Sequence, residues 1–133
     1  MATVSLVLVS HSLQLAEGAR ELAAQMTQGK VKIAVAGGTA DGRLGTDANA
    51  IVAAIQEVRS ADGVLILVDL GSAVLSTQMA IEQLPDGEGR VLLSNAPFVE
   101  GAVIAAVEAS IESDLDSVAA AALGAREMEK VTG

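Results

Sequence analysis

Val4-Ser5-Leu6-Val7-Leu8-Val9-Ser10-His11-Ser12 is apolar almost throughout and then ends in a polar triplet. An apolar run this short, without alternation, reads as a strand buried on both faces, and therefore as a central strand over residues 3–9. Helical spacing starts at once after it, with Leu15, Ala19, Leu22 and Met26 marking a stripe over residues 13–28 and Gly29 as its C-cap. A strand that stops just before a helix is the repeating unit of a parallel α/β fold. The triplet at this junction also holds the single histidine of the chain.

The same unit recurs along the sequence. Residues 31–36 form a second strand, which Lys32 places toward an edge. A segment with four glycines follows, Gly37-Gly38-Thr39-Ala40-Asp41-Gly42-Arg43-Leu44-Gly45-Thr46-Asp47, and Thr46 or Asp47 can cap a helix striped by Ile51, Ile55 and Val58. Val64-Leu65-Ile66-Leu67-Val68 is the most apolar strand and belongs in the middle of the sheet. Asp69-Leu70-Gly71-Ser72-Ala73 then opens a helix to about residue 84, which Pro85-Asp86-Gly87 breaks. Residues 90–94 make a fourth strand, and Asn95-Ala96-Pro97 leads to a helix striped by Ile104, Val107 and Ile111.

An Ala-rich helix closes the chain over residues 113–130, with Asp114 and Asp116 in its first turn and Arg126 and Lys130 in its last, matching the helix macrodipole. The expected fold is α/β: an open, parallel, four-stranded sheet in the order 2-1-3-4, doubly wound with helices on both faces, plus an extra C-terminal helix. Residues 1–133 are read as a single domain.

Composition limits the chemistry. Hydrophobic residues make up 51% of the 133, but aromatics only 1%, so the core must be built from small aliphatic layers. No cysteine is present, which excludes disulfides and thiolate metal sites, and a lone histidine argues against zinc. With 17 acidic and 8 basic residues the net charge is −9, so nucleic-acid binding is disfavoured. No apolar stretch is long enough for a membrane span, and no secretory signal pattern begins the sequence. A cytoplasmic location is the default expectation.

In a sheet of this kind reactive groups gather at the carboxyl ends of the strands. Those ends carry Ser10-His11-Ser12, Gly37-Gly38-Thr39, Asp69 with Gly71-Ser72, and Asn95-Ala96-Pro97. A neutral imidazole is a good nucleophile near pH 7 and can accept a phosphoryl group without a metal. It needs a carboxylate to fix one ring nitrogen as N–H, and amides or hydroxyls to hold the phosphoryl oxygens. Asp69 fits the first task. Ser10, Ser12, Gly38, Thr39, Gly71 and Ser72 are the candidates for the second. Gly-x-Gly-x-x-Gly after the first strand, Walker A and Gly-x-Ser-x-Gly patterns are all missing, which argues against nucleotide-binding and serine-hydrolase readings.

These motifs resemble a known family. Val7 to Ser12, Gly37-Gly38-Thr39 with Leu44-Gly45-Thr46, Val68-Asp69-Leu70-Gly71-Ser72-Ala73, and Ala96-Pro97-Phe98-Val99-Glu100-Gly101-Ala102 look like the DhaM family. Its members are the phosphotransfer subunits of bacterial phosphoenolpyruvate-dependent dihydroxyacetone kinases, similar to the IIA domain of mannose-type phosphotransferase systems. The resemblance covers residues 3–112. It implies that phospho-HPr donates to His11, which Asp69 orients, and that phospho-His11 rephosphorylates ADP held in the DhaL subunit. DhaL then serves dihydroxyacetone bound on DhaK. The chain would carry no cofactor or metal of its own, would use a separate HPr, and would form a homodimer. Ser76 stands where many members have Asn. Two alternatives stay open: a sugar-transport IIA domain that donates to a IIB protein, and a non-catalytic regulatory module.

Overall fold

The computed structural model describes residues 3–131. β1 (Ser5–Ser10) lies inside the sheet between β2 (Ile33–Gly37) and β3 (Val64–Val68), and β4 (Val91–Leu93) completes the order β2-β1-β3-β4. All three pairings are parallel. The expected architecture and strand order are therefore observed, with β1 and β3 interior and β2, just after Lys32, at one edge.

The helices are α1 (Leu13–Thr27), α2 (Ala48–Val58), α3 (Ser72–Gln83), α4 (Phe98–Ser110) and α5 (Leu115–Gly124). Alternation along β1 sends Val4, Leu6 and Leu8 to the face covered by α1, α4 and α5, and Val7 and Val9 to the face covered by α2 and α3. Leu6, Leu8, Leu65, Ile66 and Leu67 have no exposed surface, and each such burial contributes roughly 1.5–3 kcal/mol.

Several sequence expectations are corrected. α1 buries Ala16, Ala19, Ala23 and Thr27, whereas Leu15, Leu22 and Met26 are exposed. α4 likewise buries Phe98, Gly101, Ala102, Ala105, Ala106 and Ala109 and leaves Val107 and Ile111 outside. In both helices the small residues face the sheet. A Cβ at Gly101 would lie 2.8 Å from Ala96 Cβ and 2.8 Å from Leu67 Cδ2, which shows how closely α4 approaches. The left-handed C-cap of α1 is Gln28, one residue before Gly29. β2 starts at Ile33 instead of residue 31, and β4 keeps only three residues.

α5 ends at Gly124, short of the expected residue 130. A 3-10 turn over Ala125–Glu127 takes up Arg126, and Lys130 forms an ion pair with Glu100 of α4. Among the described residues no helix is long and apolar enough to cross a membrane.

Candidate active site

The chain leaves β1 toward β2 on one side and meets β3 on the other, so the topological switch point lies between β1 and β3. Val9 is in register with Val68, which makes the residues just after them neighbours. Asp69 N–H donates to the Val9 carbonyl at 3.1 Å, extending the ladder by one step past the strands. His11 and Asp69 face each other there because both strands stop at the same level.

The Asp69 side chain is 8% exposed and accepts two hydrogen bonds on each oxygen. Oδ1 takes His11 Nδ1–H at 3.0 Å and Leu70 N–H at 2.8 Å; Oδ2 takes His11 N–H and Ser10 Oγ–H, each at 2.9 Å. Burial pushes the Asp69 carboxyl up, but these donors outweigh it and hold the pKa below its ordinary value. An ionised carboxylate only accepts, so Nδ1 carries a proton, and in the neutral ring Nε2 is then the nitrogen that keeps its lone pair. Ser72 Oγ lies 2.9 Å from Nε2 and in that tautomer donates to it. The His11 side chain is 26% exposed; its contact with Ser72 at Nε2 is exposed, whereas its contact with Asp69 at Nδ1 is part-buried.

Two helices begin at this point. Ser12 caps α1 through Oγ, which accepts Leu15 N–H at 3.3 Å. α3 starts at Ser72 after Gly71 with no side-chain cap, leaving the positive end of its dipole beside the ring. Negative charge brought to Nε2 meets this helix end.

The candidate residues take different places. His11, Asp69 and Ser72 form one hydrogen-bonded chain, with Gly71 beside it. Ser10, fully buried, donates to Asp69 and accepts Ser12 N–H at 3.0 Å, so its hydroxyl braces the carboxylate and the turn. Thr39 turns into its own loop: its hydroxyl donates to Asp41, and its N–H donates to the Arg43 carbonyl at 2.9 Å. Gly38 supports that loop with φ +74°, where a Cβ would lie 2.9 Å from the Arg43 oxygen. Asn95 is exposed, and Ala96 packs against Gly101.

Three residues of the glycine-rich segment take roles that the sequence reading does not assign to them. A Cβ at Gly37 would lie 2.6 Å from Leu13 Cα and 2.9 Å from the Ser12 carbonyl, so only glycine lets α1 start this close to β2. The Gly-Gly pair at the strand end was the available signal. Gly45 N–H donates to the His11 carbonyl at 2.9 Å. Thr46 does not cap α2, which Asp47 does through Asn49 N–H; its hydroxyl is instead 2.7 Å from Ser76 Oγ.

Comparison with known proteins gives the family. The family described as EIIA-man, PTS system fructose IIA component, matches residues 5–119. The chain is 44% identical over 131 residues to the PEP-dependent dihydroxyacetone kinase phosphoryl donor subunit DhaM of Escherichia coli (strain K12), covering 96% of this chain and 28% of that protein. It is 39% identical over 117 residues to the DhaM of PEP-dependent dihydroxyacetone kinase 2 of Listeria innocua serovar 6a, covering 86% of this chain and 93% of that one. The chain thus spans little more than a quarter of the first relative and nearly all of the second. Among solved structures, the unknown function protein EF1359 superposes with a TM-score of 0.84 at 36% identity, covering 98% of this chain and 99% of its own. Sequence, fold and match length agree that the chain belongs to the EIIA-man family, on its DhaM branch.

Proposed function

We propose that this chain is a phosphohistidine carrier of a dihydroxyacetone kinase system, taking a phosphoryl group from phospho-HPr on His11 Nε2 and delivering it to ADP held in DhaL. DhaL then phosphorylates dihydroxyacetone bound on DhaK. One observation carries the reading: Asp69 fixes Nδ1 as N–H, so Nε2 faces outward as a neutral nucleophile beside the uncapped start of α3. The donor, acceptor and substrate come from the family, in which the relatives are phosphoryl donor subunits.

In the forward step the Nε2 lone pair attacks the phosphorus of the donor's phosphohistidine. The P–N bond to the donor breaks, and the donor imidazole leaves with that electron pair. Nδ1 keeps its proton throughout, so the His11 ring becomes formally cationic and Asp69 balances that charge at 3.0 Å. Transfer to ADP reverses the roles, with a β-phosphate oxygen as nucleophile and neutral His11 as leaving group. Positioning and charge compensation supply the catalysis.

The oxygen-holding groups we assign are Ser72 Oγ, the Gly71 and Ser72 amides, and the turn at Ser12. Gly38 and Thr39 shape the adjoining loop, and Ser10 acts through Asp69. We read residues 1–133 as one carrier domain. A homodimer rests on the resemblance, and sedimentation velocity reads it directly.

The test is incubation with labelled phospho-HPr, then chase with ADP-loaded DhaL or with a mannose-family IIB protein. An acid-labile label on His11 that only DhaL discharges is the expected result. Discharge by IIB alone assigns the chain to sugar transport, and absence of any label leaves a regulatory module.

A further inference from the structure

We infer that Thr46 and Ser76 are positioning residues for His11, acting as a hydroxyl latch that sets the distance between the glycine-rich loop and α3. Gly45 N–H holds the His11 carbonyl at 2.9 Å, and the next residue, Thr46, places Oγ1 2.7 Å from Ser76 Oγ. Ser76 is one turn beyond Ser72 on the same face of α3. Ser72 Oγ returns to His11 at Nε2, 2.9 Å away. The hydrogen bonds therefore close a ring that begins at the histidine's main chain and ends at its reactive nitrogen. Within this ring, the latch is the one link between side chains of different elements that does not involve the histidine itself.

The packing explains why such a link is needed. α3 buries only Ala73, Thr77 and Ala80 against the sheet, and the large side chain it packs beside them, Ile81, lies at the far end from Ser72. The Thr77 hydroxyl donates to the Ala73 carbonyl at 2.8 Å within the same helix. The first residue of α3 has no side-chain cap to anchor it either. A helix start packed through small residues can shift by a few tenths of an ångström at small cost, and that shift is enough to lengthen a hydrogen bond at Nε2. The latch opposes the slide, and it is partly buried, where a hydrogen bond is less diluted by water.

The consequence for transfer rests on the proposed function, but the positioning itself does not. His11 is the single histidine, so its ring nitrogens give isolated signals in nitrogen-15 NMR of the whole chain. Spectra are taken on the alkaline plateau, at a pH above which the ring resonances of the parent no longer move. Thr46→Val and Ser76→Ala are expected to move the Nε2 resonance in the direction produced by Ser72→Ala. The double variant should move it no further than either single one, and Thr46→Ser should restore it. In phosphorylation by phospho-HPr, Thr46→Val and Ser76→Ala should each lose roughly fivefold in kcat, the scale of one neutral hydrogen bond, with KM unchanged, and Thr46→Ser should keep the parent rate. An Nε2 resonance identical to that of the parent in both variants overturns the latch. Should Thr46→Val fail to fold, Ser76→Ala decides alone. A parent chain that takes no phosphoryl group removes the proposed function, while the NMR shifts still decide whether the latch exists.

Discussion

Asp69 holds His11 in two places at once: Oδ1 accepts the ring Nδ1–H at 3.0 Å, and Oδ2 accepts the main-chain N–H at 2.9 Å. The carboxylate thereby fixes where the residue sits and how its ring is turned. Asparagine has one acceptor and one donor where the site presents donors on both sides. Asp69→Asn is therefore expected to slow labelling by phospho-HPr by roughly ten- to a hundredfold, the scale of hydrogen bonds to a charged group. Binding of HPr, read by titration calorimetry, should change little. Equal labelling rates for the two proteins remove Asp69 from the mechanism.

His11→Ala tests the nucleophile. The side chain is partly exposed at a strand end, outside both apolar clusters, so its loss should leave the circular dichroism spectrum unchanged. No acid-labile phosphoryl group should form. A label that persists in this variant places the phosphoryl group on another residue.

The depressed Asp69 pKa has a definite sign in stability. A carboxyl with a folded pKa below its unfolded value of 3.8 stabilises the fold at pH values above 3.8, and that contribution is lost as pH falls through the lower folded value. Urea midpoints should therefore drop below about pH 4, and Asp69→Asn should drop less steeply than the parent over the same range. Asp41, Glu100 and Asp114 are shifted in the same direction and contribute to the parent's slope. Only the difference between parent and variant reports Asp69, and parallel curves would contradict the assignment.

Gly37→Ala places a methyl group 2.6 Å from Leu13 Cα and 2.8 Å from Leu13 N, against backbone that cannot swing aside. A loss of about 1–3 kcal/mol in unfolding free energy is expected, typical of overpacking. Because the displaced backbone is the start of α1, two residues from His11, labelling should slow as well. Unchanged urea unfolding would mean that α1 can retreat from β2 freely.

The interior strands are readable because β1 carries the apolar run Leu6–Val9 and β3 is apolar throughout, a pattern with one dominant meaning in a chain of this composition. Helix positions were readable too, but the buried faces of α1 and α4 were not. Leu15, Leu22 and Met26 looked like the inner stripe because they are large, whereas Ala16, Ala19 and Ala23 win the inner face because the helix lies close to the sheet. Size misled where distance between layers decided the outcome. His11 and Asp69 could be paired from the sequence, since both follow strands that end at the same level. The Thr46–Ser76 contact and the inward turn of Thr39 could not, because loop hydroxyls are directed by backbone dihedrals that glycines leave undetermined.

The engagement of Nδ1 with Asp69 has one more consequence for traffic through the site. With that nitrogen occupied, the imidazole has a single doorway. Under the proposed reaction every phosphoryl group enters and departs along the same line, through Nε2 and past Ser72. Donor and acceptor must therefore take turns, each leaving before the other arrives, and each should act as a competitor of the other for the same face of the carrier.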